Sequence, residues 1–220
     1  MILPDYLQAA RLCLINKRPY LASIIWSLIP VEKKLEDGLE YMAVDKYGRW
    51  YINTDTVSKT PIGEIAISII HEINHLLRRH HDRMICYRNW TSSLGYSLAN
   101  IGADLEINDT IKEEAEAFET EKPEKWCYPE NFEFKDGLLA EEYCDKLIRR
   151  QTEHKQPLPN IYLGGNTPLG GGNCGSCAGD DKKPWEEDAP VGSDGGTSEV
   201  PGLTPSELDV LRRQVAKSVQ

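Results

Sequence analysis

The sequence contains no apolar run approaching the roughly 18 residues that a membrane-spanning helix needs, so an integral membrane protein of that kind is excluded. Positive charge is also scarce: 25 Lys and Arg stand against 35 Asp and Glu, giving a net charge of −10 and a pI near 5.0. A nucleic-acid binder requires a basic footprint, and this balance excludes one. The segment Met1 to Ile15 lacks a basic start, an apolar centre and a small-residue cleavage site, so no secretory signal is expected. Cys13, Cys86, Cys127, Cys144, Cys174 and Cys177 are scattered without a framework spacing. Together these features predict reduced thiols and a cytoplasmic protein. No Walker-type loop is present, the glycine clusters lack a strand-to-helix setting, and no internal repeat is visible. Nothing beyond composition supports a Ser/His/Asp nucleophile.

What is present reads as an α+β chain. Tyr6 to Leu28 predicts two short helices broken at Pro19. Glu40 to Val44 and Arg49 to Asn53 are β-prone runs around Asp45-Lys46-Tyr47-Gly48, which predicts a hairpin. Thr60-Pro61 then reads as the N-cap and first position of a long helix with an apolar stripe, Ile62, Ile65, Ile69, Ile73 and Leu76, running to about His80. Further helices are expected over Trp90 to Lys112 and Gly137 to Arg150. The expected organisation is a domain over residues 1–155, a Gly/Pro-rich linker or wrapping segment over 156–203, and a helix over 204–220. Thr204-Pro205-Ser206-Glu207 is a capping box opening that last helix, which either docks elsewhere or leads into a longer natural chain.

The chemistry is concentrated in His71-Glu72-Ile73-Asn74-His75. Histidines four apart lie on one face of a helix, so both imidazoles can reach one zinc ion. Glu72, beside the first of them, is then placed to act as a general base toward an activated water. A catalytic zinc needs a third protein ligand and an open position. Two candidates exist. His81 lies ten residues after His71, a metzincin-like distance, but that arrangement turns the chain at a glycine and position 78 is Arg. With the helix continuing, His80 would face the opposite side, and both His80 and His81 also read as ordinary polar residues at a helix end. Asp104 is the better candidate. It sits among Leu98, Ile101, Ala103 and Leu105, where a carboxylate needs a partner or a metal, and Asn108 one turn on could orient a ligand. Arg78 is a candidate cationic oxyanion stabiliser. Cys174-Gly175-Ser176-Cys177 is a lone CxxC, open to readings as inert thiols, a labile disulfide or part of a metal site. Trp126, Tyr128, Phe132 and Phe134 either pin their loop to the core or line a substrate groove.

The order of these features resembles the metallopeptidase-like domain that precedes a von Willebrand factor A-like domain in bacterial and phage proteins. The matching pieces are His71 to His80, Ala103 to Asp109, Asp136-Gly137-Leu138 with Ala140 to Tyr143, Gly175 to Gly179 with Pro184-Trp185-Glu186, and the tail Leu203 to Ala216. The resemblance implies a zincin-like fold in which a small antiparallel sheet precedes the central helix. It also implies Zn2+ held by His71, His75 and Asp104, with Glu72 as the general base of peptide hydrolysis. Expected partners are a protein or peptide substrate and a von Willebrand A-like domain or AAA+ ATPase. The same partners would serve the alternative, a zinc-stabilised scaffold without catalysis.

Overall fold

The computed structural model of the chain describes residues 3–91, 97–123, 126–153, 176–178, 181–193 and 195–219. Helix α1 (Asp5–Lys17) buries Leu7, Ala10 and Leu14 and stops before Pro19, whose fixed φ begins a tight turn leading into α2 (Ala22–Ser27). The chain then enters β1 (Ile29–Lys33), an element the sequence reading missed because Pro30 argues against a strand. The exception is positional: β1 is an edge strand, and it pairs parallel with the central strand β3 (Arg49–Asn53). On the other side β3 pairs antiparallel with β2 (Met42–Val44), forming the expected hairpin. Its turn is held by Asp45, whose carboxylate accepts the Tyr47 and Arg49 N–H groups at 2.8 and 3.0 Å. Gly48 there takes φ 70°, a conformation that a side chain resists.

A short helix, α3 (Thr54–Val57), is capped by Asn53 and leads to α4 (Ile62–Leu77). Pro61, not Thr60, occupies the N-cap position, and no side chain caps this end. Helix α4 packs against α1, β2 and α6, so it is buried almost all round rather than along a stripe. It also ends earlier than expected. Arg79 adopts the left-handed conformation, φ 56° and ψ 39°, and turns the chain into α5 (His80–Arg83). Its guanidinium is held by Asp82 at 2.8 Å.

Helix α6 (Leu98–Ala117) begins well after Trp90, at Ser97, whose hydroxyl accepts the Asn100 N–H. Helix α7 (Ala140–Thr152) starts three residues beyond Gly137 and lies close along α6. At Gly102 an added Cβ would stand 2.8 Å from the Ala140 carbonyl oxygen, so only glycine permits this approach.

Much of the stretch read as a linker, together with Cys174, lies outside the described residues. Its described parts are held to the domain. Trp185 is buried edge-on against Tyr51, with ring centroids 5.3 Å apart. The fully buried Arg49 donates to the carbonyls of Asp188, Val200 and Pro201 at 2.7, 2.8 and 3.0 Å. Helix α8 (Pro205–Ser218) then buries Leu208, Leu211 and Val215, packing on α2 and the Pro19–Leu21 turn. No helix among the described residues is long and apolar enough to cross a membrane.

Candidate metal centre

Burial dictates what this centre must be. His71, His75 and Asp104 are 5%, 0% and 0% exposed, and they bring three polar atoms to one point. His71 Nε2 and His75 Nε2 are 3.2 Å apart, and Asp104 Oδ1 lies 3.4 and 3.3 Å from them. Helix α4 supplies both imidazoles from successive turns, and α6 crosses it to supply the carboxylate.

The outer nitrogens fix the tautomers. Asn108 donates its amide N–H to the Cys127 carbonyl at 2.8 Å, which leaves its Oδ1 to accept from His71 Nδ1 at 2.9 Å. Glu106 can only accept, so His80 Nε2 donates to it at 3.1 Å and His80 Nδ1 accepts from His75 Nδ1 at 3.0 Å. Both Nε2 atoms therefore turn lone pairs toward the Asp104 carboxylate. Two lone pairs and an anion repel at this range unless a cation lies among them.

A proton or a metal ion can be that cation. Without metal, burial is the largest influence on His71 and disfavours its charge, but the hydrogen bond and charge of Asp104, with Glu72 and Asn108, together raise the imidazole pKa. Burial pushes His75 down to about 3. Asp104 is also opposed by burial, yet the two imidazoles beside it hold it well below the usual carboxylate range. The spacing fits a metal as well. Ligand bonds of about 2.0–2.1 Å at tetrahedral angles set ligand atoms roughly 3.3–3.4 Å apart. His71, His75 and Asp104 could thus hold a metal ion with little rearrangement.

Glu72 projects beside this cluster, 4% exposed, and one of its carboxylate oxygens has no hydrogen-bond partner. Burial raises its carboxyl to about 8; the His71 imidazole and a backbone hydrogen bond from Val44 work against that rise. Cys177, fully buried, closes the same side: its sulfur, the Glu72 carboxylate and a His75 ring nitrogen all lie within 4.8 Å of one another. Burial, then the nearby carboxylates, hold its thiol well above the usual range. Trp126 covers the remaining flank, its ring 4.7 Å from that of His71.

His81 is not part of the cluster. It lines a surface depression of about 300 Å³ with Asp45, Arg88 and Glu186, and burial pushes its imidazole down to about 4. His80 is the opposite case. The turn at Arg79 swings it back beneath His75, against the expectation that it would face away. Arg78 is tied to Glu106, donating to its backbone carbonyl at 2.7 Å. Sequence reasoning missed the roles of His80 and Glu106, and it raised Cys177 only as part of the CxxC. The only available signal was a helix-end His that an acid on another helix could pair with.

An α+β domain with a buried, metal-competent His/His/Asp cluster on crossed helices is the class that fold and site define. The chain belongs to the family described as "Putative metallopeptidase domain", which it matches over residues 4–217. Neither the curated proteins nor the solved structures yield a match.

Proposed function

We propose that this domain is a zinc-dependent peptidase of zincin-like architecture, with His71, His75 and Asp104 holding Zn2+ and Glu72 acting as general base. The observation that carries the reading is the convergence of two lone-pair nitrogens and a carboxylate at near-tetrahedral spacing, with the tautomers held by Asn108 and His80. Two imidazoles and one carboxylate favour zinc over hard cations, which prefer oxygen ligands. When bound, such an ion polarises a carbonyl and makes a water acidic near neutral pH. Glu72, buried and with an oxygen to spare, takes the water proton and returns it to the leaving amine. Access of a protein or peptide substrate to so buried a centre requires movement, which a von Willebrand A-like domain or an AAA+ ATPase could drive.

Metal analysis tests the site. Wild-type protein should carry about one zinc per chain, and His71→Ala, His75→Ala and Asp104→Ala should lose most of it. Equal zinc in all four would sink the assignment. Glu72→Gln should keep zinc and lower any peptide hydrolysis about a hundred- to ten-thousand-fold. One observation favours a second reading, a zinc-stabilised scaffold: the centre is covered by protein on the Glu72 side. Untouched biological function in Glu72→Gln would select it.

A further inference from the structure

The side of the centre that a water and substrate would need is taken up by the turn Ser176–Ala178, packed against α4, α5 and α6. Cys177 is the residue it inserts. Its sulfur is wholly excluded from solvent, near a ring nitrogen of His75 and the Glu72 carboxylate. Cys177 belongs to the main apolar core, but polar groups of the centre border it as well. Glu72, whose carboxylate belongs to the same group, keeps one buried oxygen unpartnered, so polar atoms that packing does not satisfy lie beside the thiol. The turn is also tethered from outside. Glu186 accepts the Ser176 N–H, and Trp185 beside it is anchored on Tyr51.

We propose that Cys177 is a fourth ligand to the metal, a thiolate that fills the open position and keeps the centre latent until the 176–178 turn is withdrawn. This rests on the metal site proposed above. Binding costs the thiol its proton, which passes to solvent, and a sulfur–metal bond forms in place of a water–metal bond. Zinc accepts mixed nitrogen, oxygen and sulfur donors, and sulfur sits at about 2.3 Å. The sulfur lies within 4.8 Å of a ring nitrogen of His75, the residue shared with the His71/His75/Asp104 cluster, and an inward shift of the turn would bring it into the ligand set. Withdrawal of the turn would free both the coordination position and Glu72 in one movement. Latency would then be a property of the domain itself.

Cobalt substitution of the full chain under reducing conditions provides the test. Wild-type protein loaded with Co2+ should show visible d–d bands of a four-coordinate ion together with a near-ultraviolet thiolate-to-cobalt charge-transfer band. Cys177→Ser should keep the former and lose the latter, whereas Cys127→Ser should keep both. X-ray absorption on the unmutated zinc protein should find one sulfur at about 2.3 Å, which needs no variant to fold. Visible bands without charge transfer, or zinc with only nitrogen and oxygen neighbours, would overturn the thiolate ligand and leave the His/His/Asp site standing. Failure of either metal to bind would overturn both. Retention of the charge-transfer band in Cys177→Ser would assign the sulfur elsewhere and end the proposal.

Discussion

At the scale of single residues, the centre depends as much on the groups behind the imidazoles as on the imidazoles themselves. His80 is not one of the three converging groups, but among the described residues it accepts the Nδ1 proton of His75, and Glu106 behind it fixes the direction of that bond. Glu106 is in turn gripped by Arg83 at 2.9 Å, and hydrogen bonds from His80 and Arg83 overcome the burial that would raise its pKa. Loss of such an outer partner typically costs 10–100-fold in metal affinity. His80→Ala should therefore weaken zinc binding by about that factor while leaving the stoichiometry at saturation unchanged. Competition with a chromophoric chelator measures it. Unaltered affinity would show that His75 keeps its tautomer without help.

At the scale of elements, the meeting of α4 with α6, and of α6 with α7, decides whether Asp104 arrives at the centre. At Gly102, two residues before it, α7 lies against the α6 backbone with no room for a side chain. A methyl group there meets the Ala140 carbonyl, a backbone atom that cannot rotate away. Gly102→Ala should destabilise the fold by about 1–3 kcal/mol, the usual cost of overpacking, even though alanine is the better helix former. Chemical denaturation reads this, and a gain in stability would mean the helices can part freely.

The same scale explains what the sequence disclosed. The hairpin, the α4 register and the apolar setting of Asp104 were legible because each rests on local periodicity or turn chemistry. Two features were not. Proline in β1 hides a strand that only its edge position permits. Arg79 in the left-handed region does the work expected of glycine, at a cost on the order of 1 kcal/mol that its surroundings must offset. Reasoning from the missing glycine extended α4 too far and turned His80 outward. Cys177 was legible only as half of a CxxC; its nearness to His75 is a matter of tertiary folding across roughly a hundred residues.

At the scale of the whole molecule, stability should carry a signature of the C-terminal segment. Burial raises Glu186 to about 7, against about 4.3 for an exposed glutamate. Between these values the folded chain keeps a proton that the unfolded chain has released. The contribution of this group is thus fullest below about pH 4.3 and falls as pH climbs through 7. Glu186→Gln can still accept the Ser176 N–H but does not titrate. The variant should gain on wild type between pH 5 and pH 8, by on the order of 1–3 kcal/mol. Urea midpoints at the two pH values test it, and parallel curves would place Glu186 in a wetter setting than its 5% exposure indicates.

Arg49 gives the molecule a sense of time. The three carbonyls it binds belong to Asp188, Val200 and Pro201, close to the other end of the chain. During synthesis the strand carrying Arg49, both histidines and Asp104 all leave the ribosome before those carbonyls exist. Translation at about 5–20 residues per second leaves an interval of several seconds or more between Asp104 and Pro201. Through that interval His71, His75 and Asp104 stand without the 176–178 turn that later packs against α4, α5 and α6, so on the proposed reading their metal position is uncovered. The guanidinium of Arg49, with Asp45 beside it, waits for the carbonyls that will dock the C-terminal segment.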